Sequence, residues 1–253
     1  MSEKSIIFST LVVKAILDGR KTVTRRVIKE IPADYRMAKK PQSYGPDDYC
    51  FVDLGDPIGT YPTLLEAKYK KGDILWVKES WKFIGIHNDG RIGNEYGLDI
   101  VYVADDTHRT VFFTDSNEWF MSWPDKPKLP ANWHELGTIE KKFAYTELCH
   151  KEKDRTRSSR SMPKWAARIL LEVLDVRPER VQEITEEDAI KEGIEIGCAH
   201  GEKAYYLYDE RLHYTPDPIE SYRTLWDKLI AKRGYPWESN PWVRRIEFKV
   251  LSE

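Results

Sequence analysis

The chain has 253 residues, with 40 Lys and Arg against 42 Asp and Glu, a formal net charge of −2. That balance excludes a protein that grips nucleic acid through overall charge, and a chain of this length can bury a full core without disulfide or metal staples. With 41% hydrophobic and 32% charged residues it is globular rather than disordered, and its 12% of aromatic residues, nine Trp among them, must fill a β-rich core or stack on something flat.

Met1-Ser2-Glu3-Lys4 leads directly into Ile6-Ile7-Phe8 and polar residues return at once, which predicts no signal peptide. The longest apolar stretch, residues 166–176, is broken by Arg168, Glu172 and Asp175 and is too short to span a membrane. Cys50, Cys149 and Cys198 are widely spaced and odd in number, which argues against a disulfide framework. The expected setting is the cytoplasm, with no membrane partner.

In chain order, Ser9 or Thr10 opens a helix over residues 10–18 with Val12, Val13, Ile16 and Leu17 on its apolar face, and Gly19 ends it. The β-branched run 22–28 predicts a strand. Residues 29–66 scatter Pro32, Pro41, Gly45, Pro46, Gly55 and Pro57 with little periodicity, which predicts an ordered but irregular excursion. Lys71-Gly72-Asp73 turns into a strand over 74–79, and residues 99–104 and 110–114 form a hairpin about the turn 105–108. Residues 122–132, rich in Pro and Trp, form a loop. The basic, Ser-containing run 151–168 predicts a mobile, solvated surface loop.

Residues 169–176 predict a buried strand. Thr185-Glu186-Glu187-Asp188 opens a short helix that Gly193 stops, and Asp217 with Pro218 opens a longer one ended by Gly234. The last strand, 243–250, alternates Ile246, Phe248 and Val250 with Arg245, Glu247 and Lys249. Five or six strands and three helices that do not alternate regularly predict an α+β fold with a curled, mostly antiparallel sheet.

Several chemistries lack their residues. The sequence has no Cys-x-x-Cys, no His-Glu-x-x-His and no Walker, Gly-x-Gly-x-x-Gly or Gly-x-Ser-x-Gly motif. Cys149-His150 and Cys198-x-His200 are isolated pairs that read as ordinary packing. The informative segment is Gly19-Arg20-Lys21-Thr22-Val23-Thr24-Arg25-Arg26 at a helix-to-strand junction. A hydroxyl becomes nucleophilic beside a base, and a partly buried lysine of lowered pKa can be that base. Spacing alone equally allows Lys21 to be a solvated side chain.

Leu17-x-Gly19-Arg20-Lys21-Thr22-x-Thr24, followed by Lys71-Gly72-Asp73-Ile74-Leu75-Trp76-Val77, resembles the ASCH domain of the PUA-like superfamily. The run 171–193 and the closing Ile246-Glu247-Phe248-Lys249 match the same pattern, and Val77-Lys78-Glu79-Ser80-Trp81 with Ser161-Met162-Pro163-Lys164-Trp165-Ala166 resembles the long form common in bacteriophage and prophage genomes. The resemblance implies one domain over residues 1–253, a mostly antiparallel β-barrel flanked by short helices, with insertions at about 29–70 and 85–161.

It further implies kinship with small bacterial amidohydrolases that remove acyl groups from N4 of cytidine, for which no metal and no cofactor are expected. Their catalytic lysine and threonine fall on Lys21 and Thr24, and their glutamate falls on Glu192. A position in the last turn of its helix, near the negative end of the dipole, predicts a raised carboxyl pKa for Glu192. Arg25, Arg26, Glu79, Trp81 and Trp165 are the candidate substrate contacts.

The expected partner is a small nucleoside. RNA or another single-stranded nucleic acid is the alternative, bound without catalysis through Arg155, Arg157 and Arg160 or cleaved as by a ribonuclease. Trp76, Trp226 and Trp242 are assigned to the core, and Trp81, Trp119, Trp123, Trp133, Trp165 and Trp237 to a cleft rim.

Overall fold

The computed structural model describes residues 2–32, 34–38, 49–55, 63–65, 68–87, 96–113, 155–199, 201–209 and 213–251. The chain opens with β1 (Glu3–Ile7), α1 (Thr10–Leu17) and β2 (Val23–Val27), then β3 (Tyr35–Ala38), β4 (Tyr49–Asp53) and β5 (Thr63–Leu65). It continues through β6 (Ile74–Lys78), β7 (Trp81–His87), β8 (Tyr96–Tyr102), β9 (His108–Phe113) and β10 (Thr156–Arg157). The last part holds β11 (Leu170–Arg180), α2 (Glu186–Lys191), β12 (Ile196–Ala199), β13 (Glu202–Tyr206), β14 (Tyr214–Thr215), α3 (Pro218–Ile230) and β15 (Trp242–Leu251).

The fold is mixed α+β, with most of its structure in four open sheets: β1-β6-β11-β15-β2, β10-β7-β8-β9, β12-β13-β14 and β3-β4-β5. Among the described residues none of them closes into a barrel. The chain divides into two compact units. One comprises Met1–Lys4, Ala15–Leu75 and Leu171–Glu253, and the other Ser5–Lys14 and Trp76–Leu170. No helix among the described residues is long and apolar enough to cross a membrane.

In the first unit β2 and β15 run antiparallel, with Arg25 opposite Arg245, Thr24 opposite Ile246 and Arg26 opposite Arg244. Successive strand residues point to opposite faces. One face, carrying Val27 and Val243, packs on Tyr222, Leu225 and Trp226 of α3 together with Val181, Ala189 and Trp237. The other face carries Trp242, which packs with Ile28, Ile31, Phe51 and Leu65. The three helices follow their sequence signals. Gly19 at φ +71° closes α1, with Arg20 N–H donating to Ala15 O at 2.9 Å and Gly19 N–H to Ile16 O at 3.0 Å. Asp217 caps α3 by accepting from Ile219 N–H at 2.8 Å, and Gly234 turns the chain at φ +90°.

Three expectations for this unit change. The stretch 29–66 contains the antiparallel sheet β3-β4-β5, because short β-forming runs such as Tyr49-Cys50-Phe51-Val52 pair with one another between the prolines. The strand expected at 169–176 runs on to Arg180, and it is buried on alternate residues only: Leu171 and Val173 are sealed while Leu170 is exposed. Trp237, expected at a rim, lies in the core beside Tyr222.

In the second unit the expected hairpin is β8–β9, joined through a turn with Asp106 at φ 56°. Strand β7 pairs with β8 and carries a register shift between Phe83 and Gly85. Trp76, expected in the core, is only half-buried.

The described part of the basic run is not a solvated loop. Arg157 is buried, Met162 and Ala166 are sealed, and Arg168 forms a two-bond fork with buried Glu79, Nε to Oε1 and Nη2 to Oε2, both at 2.9 Å. Its basic residues answer specific partners, which composition alone cannot show. Residues 122–132 and 151–154, Trp119, Trp123, Trp133, Cys149, His150 and His200 lie outside the described residues.

Candidate active site

The junction after α1 delivers Lys21 to the last turn of α2. Lys21 N–H donates to Ala15 O at 3.0 Å and Thr22 N–H donates to Lys191 O at 2.9 Å, so Lys21 and Glu192 face each other in an isolated β-bridge. Gly193 follows at φ +84°, and Arg20 Nη1 donates to its carbonyl at 2.6 Å.

Lys21 (3% exposed) donates from Nζ to the Glu192 backbone oxygen at 2.7 Å and to its carboxylate Oε2. Glu192 (5% exposed) also accepts at Oε1 from Arg25 Nη1 at 3.1 Å and from the Tyr222 hydroxyl at 3.4 Å. Arg25 is shared further: its Nε donates to Glu179 Oε1 at 2.7 Å and its Nη2 to Asp188 Oδ2 at 2.8 Å. Arg245 completes the cluster, with Nε and Nη2 on Asp188 at 2.6 and 2.9 Å and Nη1 on Glu247 at 2.9 Å.

Burial pushes the Lys21 ammonium below its ordinary pKa, against the raising effect of Glu192 and with help from Arg26 and Arg25. Burial also raises the Tyr222 phenol well above its usual range, and Glu192 adds to that. The hydrogen bonds from Arg245, followed by those from Arg25, hold the Asp188 carboxyl well below the usual carboxylate range. The cluster therefore combines a lysine poised to lose its proton with a carboxylate in direct contact.

Of the expected site residues, the structure brings together Lys21, Arg25 and Glu192. Thr24 is buried on the face of β2 away from Arg25, and its side chain makes no hydrogen bond to another described residue. Arg26 shares that face. Glu79, Trp81 and Trp165 belong to the second unit. Glu79 is engaged by Arg168, and Trp81 is sealed at 1% exposure rather than open for stacking. The edge of Trp165 lies 6.0 Å from Trp81 and the Arg157 guanidinium sits 5.4 Å from the Trp81 ring.

Four residues of the cluster escape the sequence reading: Glu179, Asp188, Tyr222 and Arg245. Asp188 reads as a helix-capping residue, and its backbone N–H does donate to Thr185 Oγ1 at 3.2 Å while its carboxylate serves two arginines. Arg245 reads as the outward polar residue of an alternating strand, yet it is buried. Among the described residues no group of three or more His, Cys, Asp or Glu is disposed to hold a metal ion. No protein-family model matches the chain, and comparison with curated proteins and with solved structures finds none similar to it.

Proposed function

We propose that the protein is an amidohydrolase of N4-acylated cytosine nucleosides, built on an ASCH-type, PUA-like fold and acting through Lys21, Thr24 and Glu192. The observation that carries this reading is the buried Lys21–Glu192 pair, formed by residues 171 positions apart in sequence. A desolvated lysine beside a carboxylate is a proton-transfer couple of the kind that hydroxyl-based acyl transfer needs.

In the proposed reaction neutral Lys21 takes the Thr24 hydroxyl proton while Thr24 Oγ1 bonds to the acyl carbon. The carbon–N4 bond breaks as Glu192, in its protonated form, delivers a proton to N4. Water then cleaves the threonyl ester, releasing the carboxylic acid and restoring the hydroxyl. This sequence requires substrate binding to bring the Thr24 hydroxyl within hydrogen-bond reach of Lys21, since catalytic hydrogen bonds often tighten only in the substrate complex.

The test is release of cytidine from N4-acetylcytidine, followed by chromatography. Wild-type protein should release it, with loss of about a hundredfold or more in Lys21→Met, Thr24→Ala and Glu192→Gln. Full activity in Thr24→Ala with loss in the other two would assign the attack to water activated by Lys21 and Glu192. A competing reading is a binding module, favoured by the internal satisfaction of the Lys21, Arg25 and Glu192 side chains, which resembles a structural ion-pair network. Wild-type protein that releases no cytidine while binding single-stranded RNA selects it.

A further inference from the structure

Two arginine pairs stand side by side across β2 and β15, Arg25 opposite Arg245 and Arg26 opposite Arg244, and strand alternation sends them to opposite faces. The first pair is neutralised by Glu179, Asp188, Glu192 and Glu247. The second has no such set. Arg244 is only 7% exposed, its Nε is buried without a hydrogen-bond partner, and it forms no ion pair with a described residue. The acid that acts on it through space is Glu30, which is itself exposed.

Tyr69 lies within electrostatic range of both Arg26 and Arg244, so the two guanidiniums approach one common region. Thr24 lies on that same face two residues before Arg26. Like charges directly opposite on adjacent strands repel, and a buried cation without a counter-charge is costly. A bound oxyanion resolves both costs, and phosphate matches the planar fork of arginine with two parallel hydrogen bonds.

We propose that Arg244 and Arg26, with the Thr24 hydroxyl beside them, form an anion site on this face that takes the phosphate monoester of a nucleotide. The choice of a nucleotide rests on the function proposed above; the anion site does not. The substrate class deepens accordingly from an acylated cytosine nucleoside to its monophosphate.

The experiment uses the full chain and two probes. Thermal melting in inorganic phosphate is compared with melting in chloride at equal ionic strength. Phosphate should raise Tm in a saturable way, by about 5 °C at high excess over its Kd. In Arg244→Gln the phosphate effect should vanish, and the variant in chloride should melt at or above the wild type, because an uncompensated buried charge has been removed.

Calorimetric titration then compares cytidine 5′-monophosphate with cytidine. The monophosphate should bind wild-type protein about tenfold or more tightly, an advantage retained in Glu192→Gln and lost in Arg244→Gln. A wild-type Tm that responds equally to phosphate and chloride overturns the anion site and requires no variant to fold. Equal affinity for cytidine and its monophosphate overturns the nucleotide assignment. Monophosphate binding in a protein that hydrolyses nothing would sink the proposed reaction and leave the anion site standing.

Discussion

Gly193 is where two backbones come closest in the candidate site. Its φ of +84° suits glycine, and an added Cβ would lie 2.8 Å from both Ala15 Cβ and Lys21 Cβ. Neither neighbour can withdraw freely, since Ala15 O holds the Lys21 and Arg20 amides. Gly193→Ala should therefore cost about 2 kcal/mol or more in urea denaturation. It should also displace Lys21 from Glu192, lowering cytidine release more than substrate affinity. A stable variant with unchanged kcat would separate this packing from the reaction. That glycine ends a helix is readable from Glu-Gly after a periodic run. Its contact with Lys21 is not, because nothing local records which residue passes against it.

At the scale of elements, α2 has six residues, too few to persist as an isolated helix in water. It is held from outside: Thr185 caps it, Thr22 N–H reaches the Lys191 carbonyl, and the Asp188 carboxylate receives Arg25 and Arg245. The last tie decides the placement of Glu192 four residues on. Removing one partner from a buried charge network leaves the others uncompensated, so Asp188→Ala should destabilise by about 3 kcal/mol or more. Asp188→Asn, which keeps the shape and one acceptor, should cost less. The comparison is made by urea midpoints at neutral pH, and equal midpoints for Asp188→Ala and wild type would refute the tie.

Helices α1 and α3 are legible because their caps and apolar faces are local. The sheet β3-β4-β5 is not, since its short strands gain their stability by pairing with one another.

At the scale of the whole molecule, buried charges shape the response to pH. Burial tends to raise the Asp73 carboxyl, but donors from Lys4, Ser2 and Lys70 hold it down at about 2, and Asp188 also lies well below its usual range. Each binds its proton less readily in the folded state, so the stability it confers is full above the unfolded value near 3.8 and is lost as pH falls through the folded value. Lys21 works in the other direction. Its folded pKa is lowered from 10.5, so the unfolded chain binds more protons between those values and stability rises with pH across that window.

Glu79, raised by burial, opposes the acid trend within the second unit. Urea midpoints should thus fall steeply from pH 4 toward 2, less so in Asp73→Asn, and should show an alkaline rise that Lys21→Met removes. A flat alkaline limb in the wild type would mean that Lys21 is not desolvated in solution.

The amino-acid sequence by itself determined the α+β class, the three helices with their caps, the hairpin β8–β9 and the segment containing Lys21. All of these rest on periodicity, capping and turn chemistry within a few residues. Only the tertiary structure decided that Lys21 meets Glu192, that Asp188 and Arg245 turn inward, and that Thr24 and Arg26 face away from Arg25. It also decided that Arg244 is buried without a described counter-charge and that the basic run near Arg168 serves Glu79. These are pairings between residues far apart in the chain, where the energy lies in desolvation and charge complementarity. No local pattern encodes which distant partner will satisfy a buried charge.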